Sequence, residues 1–222
     1  MKASELLVRC LEAEGVEHVF GLPGEELEDL LFSLRASEIE FIPVRHEQGA
    51  AFMADVHGRL TGEAGVCLAT LGPGATNLIT GVADAHLDKS PLVAITGQGG
   101  RERLHKESHQ ALDIVHMFEP VVEWNTQVAE AETIPESVRK AFKLAEYEKP
   151  GATHLEFPED VAAESVEAAP LPTRTRVRRP DPDRTSLNRA ADLIANAETP
   201  LVLAGNGAVR TPAARRLREL VE

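Results

Sequence analysis

The chain has 222 residues, 43% hydrophobic and 27% charged: enough for one domain with a sizeable core and part of a second, and too apolar for wholesale disorder. Against 36 acids stand 23 bases, a formal charge of −13, which argues against a nucleic acid or an anionic membrane as partner. Cys10 and Cys67 make no disulfide framework, and no apolar run reaches the roughly 18–20 residues of a membrane span, so the sequence reads as soluble, reducing and cytoplasmic.

Ser4 is a good N-cap for a first helix whose apolar stripe is Leu6, Leu7, Cys10 and Leu11. Gly15 sits where a left-handed residue stops a helix. A short strand over 18–20 ends in the turn Gly21-Leu22-Pro23-Gly24. A helix over 25–34 opens with acids, as its dipole favours. A β-rich run covers 39–44. The next helix, 48–60, is expected to turn Phe52, Met53 and Val56 inward. Residues 66–70 and 92–96 are continuously apolar, the pattern of strands buried on both faces. Between them Gly72-Pro73-Gly74 interrupts the chain and a helix follows over 75–87. Residues 97–110 are polar and Gly-rich and read as a loop. A strand over 121–124, a helix over 134–147 and a strand over 153–157 complete the alternation.

This order predicts an α/β fold, a mostly parallel sheet with helices on both faces, over residues 1–167. The loops 21–24, 45–48, 71–77 and 97–110 then gather at one sheet edge, the usual ligand side of such folds. Pro170, Pro172, Pro180 and Pro182 around Arg174, Arg176, Arg178 and Arg179 mark 168–184 as an extended, solvated linker. Beyond it come a helix over 187–197, a strand over 201–204, the turn Gly205-Asn206-Gly207 and a helix from Pro212. Residues 185–222 are too few to close a core alone. They are expected to be the truncated start of a second α/β domain.

Arg45-His46-Glu47-Gln48-Gly49-Ala50 lies where a strand gives way to a helix. Glu47 is either a first-turn acid on the helix dipole or a carboxylate walled by apolar strands that holds or passes a proton. Gly72-Pro73-Gly74-Ala75-Thr76-Asn77 is either a tight turn or a point of close ligand approach, with helix-start N–H groups for an anion. No Gly-Lys-Ser/Thr follows, so it is not a P-loop. His105, His109 and His116 lack the spacing of a zinc site and read as loop histidines, so no metal ligand is assigned. Nucleophilic catalysis finds no support: there is no Gly-x-Ser-x-Gly elbow, and both cysteines sit in apolar runs.

Taken in order, Val19-Phe20-Gly21-Leu22-Pro23-Gly24, Arg45-His46-Glu47-Gln48-Gly49-Ala50, Gly72-Pro73-Gly74-Ala75-Thr76-Asn77, Ile95-Thr96-Gly97-Gln98 and Lys149-Pro150-Gly151 resemble the N-terminal pyrimidine-binding domain of thiamine-diphosphate enzymes. Arg59-Leu60-Thr61-Gly62, Gly65-Val66-Cys67-Leu68-Ala69-Thr70 and Phe157-Pro158-Glu159-Asp160-Val161 make the chain most similar to acetolactate synthase large, catalytic subunits. The resemblance implies that Glu47 hydrogen-bonds the cofactor's aminopyrimidine ring and so promotes loss of the thiazolium proton. Pyruvate is then decarboxylated, and the carbanion formed adds to a second 2-keto acid. By position, Leu22, Pro23, Gly24, Thr70, Pro73 and Asn77 would lie at the cofactor, and Gln110 would face substrate. Two residues depart from the family's pattern: Glu25, after Pro-Gly and next to the reacting carbonyl, and His109, beside Gln110. Both bear on the acceptor.

The family's Mg2+ motif is not Gly205-Asn206-Gly207. The resemblance therefore implies an N-terminal part whose Mg2+ site belongs to an absent C-terminal domain and which is inactive alone. It implies a homodimer or tetramer in branched-chain amino acid biosynthesis, and leaves FAD and a regulatory subunit open. The alternatives are another keto-acid enzyme, of pyruvate oxidase or sulfoacetaldehyde acetyltransferase type, and a stand-alone pyrimidine-domain interaction module.

Overall fold

The computed structural model describes residues 1–172, 181–209 and 213–222. The chain falls into two compact units, Met1–Arg174 and Thr175–Glu222. The first runs α1 (Ala3–Ala13), β1 (His18–Gly21), α2 (Glu28–Arg35), β2 (Glu40–Pro43), α3 (Glu47–Thr61), β3 (Gly65–Ala69), α4 (Pro73–Asp88), β4 (Leu92–Gln98), α5 (Ile114–Phe118), β5 (Trp124–Gln127), α6 (Ile134–Glu146), β6 (Ala152–Pro158) and α7 (Glu159–Ala163). Its six strands form one parallel sheet in the order β2-β1-β3-β4-β6-β5. This is the α/β architecture that the alternating pattern predicts. Among the described residues no helix is long and apolar enough to cross a membrane.

The continuously apolar strands serve two cores at once. In β3, Val66 and Leu68 join the cluster built with α1, α2 and α6, while Cys67 and Ala69 join the one built with α3, α4 and α5. The first cluster uses large side chains such as Leu6, Leu30 and Phe142. Where α3 packs, the second is lined by small ones, with Cys67, Ala69 and Ala94 on the sheet and Ala50, Ala51, Ala54 and Ala75 on the helices. Small residues let α3 press on its neighbours. A Cβ on Gly65 would stand 2.1 Å from the Ala54 carbonyl oxygen, and one on Gly81 would stand 2.6 Å from the Ala51 Cβ.

That spacing reverses the expected face of α3. Phe52, Met53 and Val56 are 37, 40 and 49% exposed, and the helix buries Ala50, Ala51, Ala54 and Gly58 instead. Close-packed backbones leave no room for a large side chain between them, so the large ones go outward. Ser4 also departs from expectation. Lys2 takes the N-cap position of α1, and Ser4 lies buried within the helix, accepting from Ser33 Oγ at 3.1 Å. Gly15 adopts the left-handed conformation foreseen for it, with φ +87°. A 3-10 turn over Glu119–Val121 delays β5, which begins at Trp124 rather than ending there. Both cysteines are free and buried, and burial pushes each thiol up to about 12.

The second unit contains α8 (Arg184–Ala195), α9 (Asn206–Val209) and α10 (Ala213–Val221). Asp183 caps α8 by accepting from the Ser186 N–H at 2.9 Å. The strand expected over 201–204 is not formed, and Leu201 and Leu203 are almost fully exposed. An extended run without a ladder neighbour leaves its backbone groups to water. Arg174, Arg176, Arg178, Arg179 and Pro180 of the expected linker, and Pro212, lie outside the described residues.

His154 of β6 is fully buried in the second core. Its Nε2 is 2.8 Å from Thr96 Oγ1, and its ring stacks on Phe118 with centroids 4.1 Å apart. Its Nδ1 finds no partner among the described residues. Burial pushes the imidazole down from 6.5 to about 3. Between those values the unfolded chain takes up a proton that the folded chain refuses. Folding stability attributable to His154 therefore falls as pH falls through this window, by at most about 1.4 kcal/mol per pH unit. Urea unfolding of the wild type and of His154→Leu should show the balance moving toward the variant on going from neutral pH to about pH 5. Parallel stability curves would reject this role.

Candidate active site

The strand order places a crevice. From β1 the chain moves outward to β2, then returns to lay β3 on the other side of β1. The connections leaving β1 and β3 diverge, and a parallel sheet binds ligands outside the carboxyl ends of its strands at such a reversal. The turn Gly21-Leu22-Pro23-Gly24 follows β1, Arg45-His46-Glu47 follows β2, Thr70-Leu71-Gly72 follows β3, and the loop from Gly99 follows β4.

Glu47 is the first residue of α3 and is 6% exposed. His46 precedes it in extended conformation, and its Nδ1 accepts from the Gln48 N–H at 3.2 Å, which caps the helix. The Glu47 carboxylate reaches α4, where Oε2 accepts from Asn77 Nδ2 at 2.9 Å. Its Oε1 accepts no hydrogen bond among the described residues and lies 3.5 Å from the point where a side chain on Gly74 would begin. Glu47 is thus the first-turn acid of α3, and its buried carboxylate lies between Asn77 and the turn at Gly74.

Thr70 continues this wall. A Cβ on Gly24 would stand 2.4 Å from the Thr70 Cβ, and one on Gly74 would stand 2.8 Å from its Cγ2. Glycine at both positions is what lets the β1 turn and the start of α4 close on Thr70. Gly72 has φ +51°, a conformation side-chain-bearing residues rarely adopt, and a Cβ there would lie 2.5 Å from the Gln110 carbonyl oxygen. Gln110 itself has φ 54° and is exposed on the loop after β4.

Of the residues singled out from sequence, Gly24 and Thr70 are in contact, Glu47 and Asn77 are hydrogen-bonded, and Gln110 packs on Gly72. Leu22, Pro23 and Pro73 belong to the same two turns. Leu22 is half-buried, with its N–H on the Leu68 carbonyl, and Pro73 opens α4. Sequence reasoning missed Glu26. Glu25, the acid it noticed, is exposed, whereas Glu26 accepts from Thr70 Oγ1 at 2.8 Å. The 3-10 turn over Glu25–Leu27 rotates successive residues by about 120°, so only one of two adjacent acids can meet β3. Nothing in a Glu-Glu pair says which.

His105 and His109 are exposed on the loop after β4. His116 pairs with Asp113 at 2.7 Å, which raises the imidazole and lowers the carboxyl from their ordinary values. Deeper at the same edge, Glu156 is 2% exposed and burial raises its carboxyl. It too escaped the sequence reading.

The family described as thiamine pyrophosphate enzyme, N-terminal TPP binding domain, matches residues 1–117, which contain Glu47, the Gly72-Pro73-Gly74 turn and Asn77. The chain is similar to the probable acetolactate synthase large subunit of Methanocaldococcus jannaschii, at 39% identity over 228 residues. It is similar also to the acetolactate synthase of Bacillus subtilis, at 37% over 221, and to the acetolactate synthase isozyme 3 large subunit of Escherichia coli, at 36% over 228. These matches cover 100% of this chain and 39, 39 and 40% of the respective relatives. The chain thus spans about two fifths of the length of the curated relatives it matches. With the matched segment holding both walls of the crevice, the chain belongs to the thiamine pyrophosphate enzymes, as a bearer of their N-terminal TPP-binding domain.

Proposed function

We propose that the chain is the pyrimidine-binding part of a thiamine-diphosphate-dependent acetolactate synthase, which condenses two pyruvates to acetolactate with loss of CO2. The observation that carries this reading is Glu47, a buried carboxylate with one oxygen held by Asn77 and the other turned toward the glycine turn. Relatives aligned over the whole chain bear that enzyme's name.

The residues present fit an aminopyrimidine. Gly24 and Gly74 let the two turns close on Thr70 beside Glu47, whose Oε1 is left as an acceptor for a ring nitrogen, and Leu22, Pro23 and Pro73 offer apolar edges to a flat ring. Thiamine diphosphate, when bound, supplies an acidic thiazolium carbon and an electron sink for decarboxylation. Glu47 holds or releases a proton at Oε1 toward the ring. The Asn77 amide holds one carboxylate oxygen, which leaves the other directed at the crevice. A water-poor wall strengthens that single charged hydrogen bond. Thr70 spends its proton on Glu26 and so presents only lone pairs elsewhere. Gln110, carried over Gly72, faces the 2-keto acid.

In this reading the diphosphate and its Mg2+ fall to residues of another domain, FAD is not needed for any step assigned to this chain, and the compartment is the cytoplasm. A second copy of the chain is the proposed partner. It would cover the outward face of α3, where Phe52, Met53, Val56 and Leu60 are exposed together. Relatives named large subunits support the addition of a smaller regulatory chain.

The full-length protein should form acetolactate from pyruvate when given thiamine diphosphate and Mg2+. A cofactor-loaded protein that forms none would transfer the reading to another keto-acid reaction. Glu47→Gln should leave circular dichroism unchanged while slowing both thiazolium proton exchange and turnover by about 10²–10⁴-fold. Near-normal turnover would remove Glu47 from the mechanism. Val56→Glu combined with Leu60→Glu should lower the sedimenting mass, and an unchanged mass would place the interface elsewhere.

A further inference from the structure

The carboxyl ends of β4, β5 and β6 meet in a buried knot that the proposed chemistry does not use. Glu156 accepts from Gln98 Nε2 at 3.0 Å through Oε2 and from Gln127 Nε2 at 2.5 Å through Oε1. Gln98 is equally buried and has both amide protons and its carbonyl oxygen engaged. Its second amide proton goes to the Leu112 carbonyl at 3.0 Å, and its Oε1 accepts from the Gly99 N–H at 3.0 Å. Gly99 and Leu112 are the two ends of the loop that carries His109 and Gln110, so one side-chain amide closes that loop.

The rest of the loop is held independently. Gly100 N–H and the Arg103 guanidinium both bond Glu159, Arg101 pairs with Asp160 and Glu164, and Arg103 Nε donates to Ser108 Oγ. These ties reach α7 and stop at Ser108. The stretch from His109 to Leu112 is held by Gln98 at one end, by the contact of Gln110 with Gly72 and by the Ala111 N–H on the Ser108 carbonyl at 3.3 Å.

An amide can face either way, and the loop needs one of the two orientations. A flipped Gln98 would aim its NH2 at the Gly99 N–H and its oxygen at the Leu112 carbonyl and Glu156. The Gly99 N–H and the Leu112 carbonyl oppose the flip, and a carboxylate that only accepts adds a third, charge-assisted restraint against it. We propose that Glu156 is a positioning residue, whose carboxylate reinforces the orientation of the Gln98 amide set by Gly99 and Leu112 and thereby steadies Gln110 over Gly72 at the substrate side of the crevice. The tether stands on these hydrogen bonds alone; its effect on turnover rests on the acetolactate synthase reading.

The test uses the full-length protein. Glu156→Gln is isosteric and replaces the acceptor with a group that also donates; Gln98→Met cuts the tether from the other side; Glu156→Asp retains an acceptor-only group. In the first two, amide hydrogen exchange at Gly99 and over 109–113 should quicken about 10-fold or more, the effect of losing a hydrogen bond to a charged group, while 100–108 keeps its protection. In the same proteins kcat/KM for pyruvate should fall about 10–100-fold with affinity for thiamine diphosphate unchanged, because substrate positioning is lost and cofactor binding is not. Glu156→Asp should recover part of both. Wild-type exchange over 109–113 in Glu156→Gln and Gln98→Met would overturn the proposal, and so would faster exchange with an unaltered kcat/KM. A wild-type protein that makes no acetolactate would reject the functional reading instead, and the exchange comparison would then decide the tether by itself.

Discussion

The seating of α3 against β3 and α4 is the constraint from which the site follows. Glycine and alanine occupy the contact positions, and the backbones lie so close that a single added methyl at Gly65, Gly58 or Gly81 would meet a carbonyl oxygen or another methyl within 2.6 Å. Interiors packed this tightly transmit a displacement rather than absorb it. Glu47 begins the same helix, so the height of α3 over the sheet is also the height of its carboxylate beside Asn77. The same packing sends Phe52, Met53 and Val56 outward, and so links the inner site with an outer apolar face.

Sheet geometry shows why so close a seat is required. Strands β2 and β3 lie on opposite sides of β1, about 10 Å apart at the usual strand spacing. Glu47 comes four residues after the end of β2, yet its carboxylate touches the helix that follows β3. The chain can bridge that gap only if α3 turns straight back across β1 and lies against β3, which the small-residue layer permits. Motifs far apart in sequence become one wall because the crossover is short and flat.

Much of this was legible beforehand, and the exceptions share a cause. Continuous apolar runs identified β3 and β4 because a strand buried on both faces has no other way to be written. The order of strand-to-helix turns placed Glu47 and Asn77 at the carboxyl edge of the sheet, where they meet. Side-chain facing was harder to read. Large apolar residues on α3 looked like core, since size ordinarily correlates with burial, but here the gap was set by what the glycines and alanines lack. Glu26 could not be told from Glu25 without the pitch of a three-residue turn. Glu156 and Gln98 were invisible as a pair because 58 residues separate them and neither sits in a pattern that demands the other. The run over 201–204 reads as a strand by composition, but composition cannot supply the neighbour with which a strand must pair.

The three carboxylates at the sheet's ligand edge are all restrained by neutral donors: Asn77 for Glu47, Thr70 for Glu26, Gln98 and Gln127 for Glu156. The nearby cations Arg101 and Arg103 are engaged with Asp160 and Glu159 of α7 and with Glu164 at its end. This division has a chemical consequence. A cation beside a carboxylate adds a strong charge interaction, whereas an amide or hydroxyl fixes geometry with a much smaller electrostatic effect. Amides add a directionality that ammonium groups lack, since each offers two donors and an acceptor in one plane. An edge built this way separates two tasks. Arginines fasten the loop to α7 by charge, and amides fix the direction of individual carboxylate oxygens.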